Sequence, residues 1–246
     1  MRSKRKQRFY CQPITKGLKK IILSGDTAHH LTKVLRFKEG DKLSVFDGTG
    51  FEWDAEILVK KRKAVEIQLI KKHKPIAESP LNITLLQSVS RSQRMDLAIQ
   101  KATELGVSRI IPIVTNNSVV QLNSRNTPKK MDHWKNVIVN AAEQSGRVKL
   151  PSIEKPAQLN KELLSLYKTE LSLFLDTTGS EELKTKQIKN ATVAIGPEGG
   201  FTESEKYMAQ QTGYRTIRTG PRLLRTETAP IMIISILQYL YGDLAN

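Results

Sequence analysis

From Leu81 onward, short apolar runs alternate with segments of helical periodicity, and this alternation constrains the fold more than any other feature of the chain. NITLLQSV (82–89) reads as a strand. Met95, Ala98, Ile99, Ala102 and Leu105 then stripe one helical face until Gly106 ends it, and SRIIPIV (108–114) is the next strand. The pattern continues through a helix covering His133 to Gln144, a helix near Leu159 to Tyr167, the strands LSLFL, TVAI and YRTIR, and a closing helix. Strands separated by helices lie side by side in parallel, so an α/β layer with a mostly parallel sheet is expected.

Residues 41–70 follow a different rule. LSVFD, a turn at Asp47-Gly48-Thr49-Gly50, FEWDAEIL and AVEIQLI read as short strands, preceded by AHHLTKVLRF at helical spacing with Asp26 or Thr27 available as a cap. The basic, proline-punctuated segment KKHKPIAESP separates this β-rich module from the rest, which sets the expected domains at 1–75 and 76–246.

Charge is uneven between the two. The net charge is +16, and residues 1–75 hold 19 Lys and Arg against 8 Asp and Glu, a net of +11. Clustered cations attract polyanions and release their counterions on binding; the bland alternative is that the charge only keeps the protein soluble. Aromatic residues are only 6%, so any nucleic-acid surface should grip backbone more than it stacks bases. One cysteine, Cys11, and four scattered histidines offer neither an internal disulfide nor zinc spacing, and no metal is expected. No apolar run reaches the roughly 20 residues of a membrane helix, and the charged start lacks the apolar stretch of a secretory signal. A cytoplasmic protein without membrane contact is expected. The last helix, PIMIISILQYLY, is apolar on nearly all sides and must be covered, by its own chain or by a partner subunit.

Three strands of the second domain each run into a loop of unusual composition. LSLFL is followed by Asp176-Thr177-Thr178-Gly179-Ser180, TVAI by Gly196-Pro197-Glu198-Gly199-Gly200-Phe201, and YRTIR by the segment Thr219 to Thr228. Ligands of open α/β sheets bind beyond the carboxyl ends of strands, and glycines let backbone groups approach a ligand that a Cβ would exclude. Thr202 and Glu205 form a T-x-x-E capping box that opens a helix straight after the glycine loop. Neither a phosphate-loop motif nor G-x-G-x-x-G after a strand is present, which argues against an NTPase and an ordinary dinucleotide fold.

These residues closely resemble the SPOUT-class methyltransferases, and within them the 16S ribosomal RNA (uracil-1498)-N3-methyltransferase family, RsmE. Arg8-Phe9-Tyr10, HHLTKVLR, QKATELGV, AAEQSGR, LDTTGS, IGPEGGF and GPRLLRTETAP carry the likeness across nearly the whole chain. The resemblance implies a PUA-like RNA-binding domain joined to a knotted α/β methyltransferase domain, S-adenosyl-L-methionine as cofactor, 16S rRNA of the small ribosomal subunit as substrate, and a homodimer formed through the last helix and knot region. It implies that Leu175, Asp176, Thr177, Gly196, Pro197, Glu198, Gly199, Gly200, Thr219, Gly220, Leu223 and Leu224 hold the cofactor. Arg225 is the candidate for favouring the anionic base, with Glu227 as proton acceptor directly or through water; the alternative is that the two pair to brace their loop. Glu198 has the alternative of organising its own loop.

For RNA the candidates are Arg8, His30, Arg36, Lys60, Lys61, Arg62, Lys63 and Arg147; His30 could instead pack beneath the module, and Lys60 to Lys63 could be an ordinary hairpin end. The chain departs from the family pattern at Asn117 and Gln121, where basic residues are usual, and at Ser90-Arg91-Ser92-Gln93-Arg94, where Lys-Gly is usual. Rival readings are a methyltransferase of this fold acting on another nucleotide, such as a ribose 2′-hydroxyl or a guanine nitrogen in transfer RNA, and a non-catalytic ribosome-assembly factor.

Overall fold

Antiparallel pairing dominates the first 75 residues and parallel pairing the remainder in the computed structural model, which describes residues 7–61, 63–75, 78–120, 125–179, 183 and 187–245. The chain forms two compact units, Met1–Glu78 with Ala142–Leu150, and Ser79–Ala141 with Pro151–Asn246.

The first unit holds β1 (Arg8–Tyr10), β2 (Lys20–Ser24), α1 (Gly25–His29) continued by a π-helical turn (His30–Val34), β3 (Lys42–Phe46), β4 (Glu52–Lys60) and β5 (Ala64–His73). Its sheet runs β1-β3-β4-β5-β2, antiparallel except for β1 beside β3. Alternation is clearest in β4, where Trp53, Ala55 and Ile57 point inward to a core with Leu31, Leu43, Val45, Val65 and Ile67. Each such fully buried aliphatic side chain stabilises the unit by roughly 1.5–3 kcal/mol relative to exposure. The β3–β4 turn falls where the sequence put it. Asp47 Oδ1 accepts the Thr49 N–H (3.0 Å) and hydroxyl (2.6 Å), with Gly48 and Gly50 at positive φ. The helix start differs from expectation: neither Asp26 nor Thr27 caps it, because β2 runs directly into the helix at Ser24. Cys11 is buried, and burial, reinforced by Asp47, pushes its thiol up to about 12.

The second unit holds β6 (Asn82–Ser88), α2 (Ser92–Glu104), β7 (Arg109–Val114), most of α3 (Thr127–Ser145), β8 (Ser152–Ile153), β9 (Ala157–Gln158), α4 (Lys161–Leu166), β10 (Leu171–Leu175), β11 (Asn190–Ile195), α5 (Glu203–Gln211), β12 (Arg215–Ile217) and α6 (Thr228–Tyr241). Strand order is β12-β10-β11-β6-β7-β8, with β9 also on β7, and every pairing is parallel. The carboxyl ends of β12, β10 and β11 are thus neighbours, although β10 and β12 lie forty residues apart in the chain. α6 is not buried on all sides as its composition suggested. Pro230, Ile233, Ile234, Leu237 and Gln238 form one buried stripe, while Tyr239 and Leu240 are exposed. Among the described residues no helix is long and apolar enough to cross a membrane.

Candidate active site

Three loops leave the carboxyl ends of β10, β11 and β12 and meet around a cavity of about 590 Å³ within the second unit. Every one of the twelve residues proposed for the cofactor, Leu175 to Thr177, Gly196 to Gly200, Thr219, Gly220, Leu223 and Leu224, lines it. Arg225 lines it too.

Each loop is fixed by bonds that its sequence makes possible. Asp176 Oδ1 accepts the Thr178 N–H (2.9 Å) and hydroxyl (2.6 Å) and the Lys206 ammonium (3.3 Å), which also meets Glu203 at 2.7 Å. Burial pushes the Asp176 carboxyl up, but the Thr178 and Lys206 hydrogen bonds outweigh it and hold it below the usual aspartate value. Lys206 is shifted upward, first by its hydrogen bond to Glu203 and, against its burial, by Asp176.

The second loop turns through a Gly200 N–H to Pro197 carbonyl bond of 2.9 Å, with Gly200 at φ +71°. A Cβ on Gly196 would meet the Phe201 ring at 3.1 Å, so glycine is what lets that ring fold back beneath the loop onto Phe174. The capping box is formed: Glu205 Oε2 accepts the Thr202 N–H (2.8 Å) and Thr202 Oγ1 accepts the Glu205 N–H (3.3 Å). Asn117, the departure from the family pattern, donates to the Gly199 and Gly200 carbonyls at 3.3 and 3.0 Å. It braces the glycine loop.

The third loop is tied to the second through Thr226, whose hydroxyl donates to the Gly196 carbonyl (2.8 Å) and accepts from Gln87 (3.2 Å). Leu223, in contrast, is 81% exposed, and Arg222 and Arg225 are exposed beside it.

The pairing considered between Arg225 and Glu227 is not formed. Arg225 has no ion pair among the described residues, and Glu227 Oε1 lies 4.0 Å from Arg94. Glu227 is buried, does not line the cavity, and keeps Oε2 without a hydrogen-bond partner among the described residues. Direct access to a substrate proton is therefore not its geometry. Glu198 Oε1 is held by Arg94 at 2.5 Å, so α2 fastens the glycine loop at the cavity wall. Arg94, Phe201, Arg218 and Arg222 also line the cavity; Phe201 and Arg222 lie within the IGPEGGF and GPRLLRTETAP motifs, Arg218 ends the run YRTIR, and Arg94 comes from α2.

The RNA candidates of the first unit divide sharply. Arg8 donates to Glu52 (2.9 Å) and to the carbonyls of Ala142, Glu143 and Arg147, and stacks on the Phe46 ring at 4.7 Å. Arg147 is buried, with its guanidinium on Glu78 at 2.8 and 3.2 Å. Both were expected to contact RNA, and both are instead committed inside the unit, because an Arg near a carboxylate and free carbonyls is worth more there than in water. His30, Arg36, Lys60, Lys61 and Lys63 are exposed; Arg62 and Gln121 lie outside the described residues.

A family model for the RNA methyltransferase domain matches residues 77–238, and one for the RNA methyltransferase PUA domain matches residues 23–70. The ribosomal RNA small subunit methyltransferase E of Buchnera aphidicola from Schizaphis graminum is 36% identical over 245 residues, covering 98% of this chain and 99% of the relative. The enzyme of that name from Bacillus subtilis is 28% identical, covering 90% and 92%. A methyltransferase of Legionella pneumophila, solved with the cofactor SAM, has a TM-score of 0.93 and 34% identity, covering 98% and 100%. The Neisseria gonorrhoeae ribosomal RNA small subunit methyltransferase E, solved with S-adenosyl methionine, has a TM-score of 0.89 and 31% identity, covering 97% and 99%. With both domains matched in order and the three loops brought to one cavity, the chain belongs to the ribosomal RNA small subunit methyltransferase E family.

Proposed function

We propose that this protein transfers the methyl group of S-adenosyl-L-methionine to N3 of a uridine, U1498, in the 16S RNA of the small ribosomal subunit. The observation that carries the reading is the convergence of three loops, far apart in sequence, on one cavity large enough for a nucleoside-sized ligand. Its lining suits this donor. Leu175, Ile195 and Leu224 give apolar surface for adenine, backbone groups of Gly196 to Gly200 and Thr219 to Gly220 give hydrogen bonds, and Asp176 is a carboxylate suited to a ribose diol or an ammonium. The names and bound cofactors of the relatives support the same donor and substrate.

When bound, the donor supplies a methyl group activated by its positive sulfur. The chain's own part would be to hold the uracil of the RNA so that N3, once its imide proton is lost, lies in line with that methyl group. Holding the two in line can remove on the order of 7–11 kcal/mol of barrier. Arg225, exposed in the cavity lining and free of a carboxylate partner among the described residues, suits the role of meeting a uracil carbonyl oxygen and stabilising the anionic base. With Glu227 set behind the cavity wall, the proton leaves to water. The exposed face of α6 and Leu223 suit a second copy of the chain, so the protein works as a homodimer with the knotted topology of its class.

The test is transfer of label from S-adenosyl-L-methionine to small-subunit particles lacking the modification. Reverse transcription should stop at the uridine, because an N3 methyl blocks base pairing. Cofactor binding without transfer to any RNA would leave the assembly-factor reading in place, and transfer to a ribose or to transfer RNA would move the substrate.

A further inference from the structure

The N-terminal unit holds a second recess, of about 300 Å³, that the methyl-transfer site does not use. Its floor is the buried Phe9 ring, and the exposed His30 ring stands edge-on to it, centroids 6.0 Å apart and planes at 78°. The open face of that imidazole, with Leu35 beside it, is a stacking surface. The other wall is polar: Gln7, Gln144 and the half-buried carboxylate of Glu143.

The charges there are not arranged for phosphate. The Arg8 guanidinium at the edge is already neutralised by Glu52 and occupied by three carbonyls. Glu143 Oε1 accepts the Tyr10 N–H at 2.8 Å, and Oε2 has no hydrogen-bond partner among the described residues. A carboxylate with a spare oxygen repels a phosphate and seeks a donor. In a unit otherwise so rich in cations, that oxygen is suited to reading a base edge. Adenine, cytosine and guanine each offer an exocyclic amino group, whereas uracil flanks its single N–H with two carbonyl oxygens that a carboxylate opposes.

We infer that this recess holds one unpaired nucleobase bearing an exocyclic amino group, stacked on His30 and donating to Glu143, so that the enzyme reads a nucleotide other than its target. The inference rests on the RNA-methyltransferase reading above, and its test separates the two. The full-length protein is titrated, by fluorescence anisotropy, with labelled short oligouridylates whose central base is C, A, G or U. An amino-bearing centre should bind about tenfold more tightly than the all-uridine oligomer. Glu143→Gln keeps the acceptor for the Tyr10 N–H and should erase that difference, and His30→Ala should weaken the three amino-bearing oligomers together. Both variants should bind S-adenosyl-L-methionine as before. Equal binding of all four oligomers by the wild type, or a preference that survives in Glu143→Gln, overturns the inference while methylation of small-subunit RNA stands. Failure of every oligomer to bind, with no methyl transfer either, sinks both.

Discussion

An arginine in the N-terminal unit and an arginine at the rim of the methyltransferase cavity carry the same charge and do opposite work. Arg8 and Arg147 are consumed by carboxylates and carbonyls of their own unit, whereas Arg225 has no ion pair among the described residues and stands exposed beside three glycine-bearing loops. Residue type announces the charge; allocation of that charge is decided by partners far away in the chain. The contrast is sharpest where a substitution should cost stability on one side and turnover on the other.

Arg147→Ala should have the largest effect. Its guanidinium meets Glu78 Oε2 at 2.8 Å, and Glu78 Oε1 accepts the N–H groups of Val148 and Lys149 at 3.0 and 2.9 Å. Removing the cation leaves a half-buried carboxylate held by backbone donors alone, at a cost of about 3 kcal/mol. For a chain of this size that lowers the melting temperature by about 10 °C. A variant that melts like wild type but loses RNA would restore Arg147 as an RNA contact and break the contrast.

Arg225→Ala should do the reverse. Turnover is expected to fall about 100-fold, with melting temperature and cofactor affinity by calorimetry nearly unchanged. If methylation survives, the free guanidinium at the rim is not the group that stabilises the anionic base.

How much of this could be read beforehand follows from how local each signal is. GPEGG and LDTTGS are contiguous and sit directly after apolar runs, so their place at strand ends was visible, and the capping box at Thr202 and Glu205 closes within one turn. β1, by contrast, has three residues and pairs with Ser44 to Phe46, over thirty positions away, so no periodicity marked it. β8 and β9 are two residues each and left no pattern. Arg94 sits beside the buried stripe of α2, but its partner Glu198 comes a hundred residues later. Ala142–Leu150 belongs with the first unit through bonds such as that from Arg8 to the Ala142 carbonyl, which composition does not encode.

Asp176 of the cavity lining forms a charge pair with Lys206, which sharpens the comparison with Arg147. Lys206→Met should cost about 2 kcal/mol, less than Arg147→Ala, because Asp176 keeps its two Thr178 bonds. The Asp176 carboxyl is held below its ordinary value, so its contribution is complete above the usual aspartate range and fades as pH falls through the lowered value. Lys206 is shifted upward, so its share is complete below the ordinary lysine value and lost as pH rises through the raised one. Denaturant titrations should therefore show a constant gap between wild type and variant across neutral pH, narrowing below about pH 4. A gap that ignores acid would mean the pair is not ionic in its effect.

The smallest effect is expected at Arg36, the single non-glycine at positive φ among the described residues, φ +56°. It follows the π-helical turn, where Phe37 N–H reaches back to the Leu31 carbonyl at 3.0 Å and Leu35 N–H to His30 at 3.0 Å. Helices commonly end this way with glycine at the left-handed position, and a Cβ there is strained. The second unit uses glycine at its own left-handed turns, Gly200 and Gly220. Arg36→Gly should thus raise stability, by about 0.5–1 kcal/mol after the entropy that glycine adds to the unfolded chain. If the strained arginine touches a phosphate, the same variant binds RNA more weakly and the slope of log affinity against log salt falls by about 0.7. Stabilisation with an unchanged slope would remove Arg36 from the RNA surface and leave Lys60, Lys61 and Lys63 as the exposed lysines among the described RNA candidates.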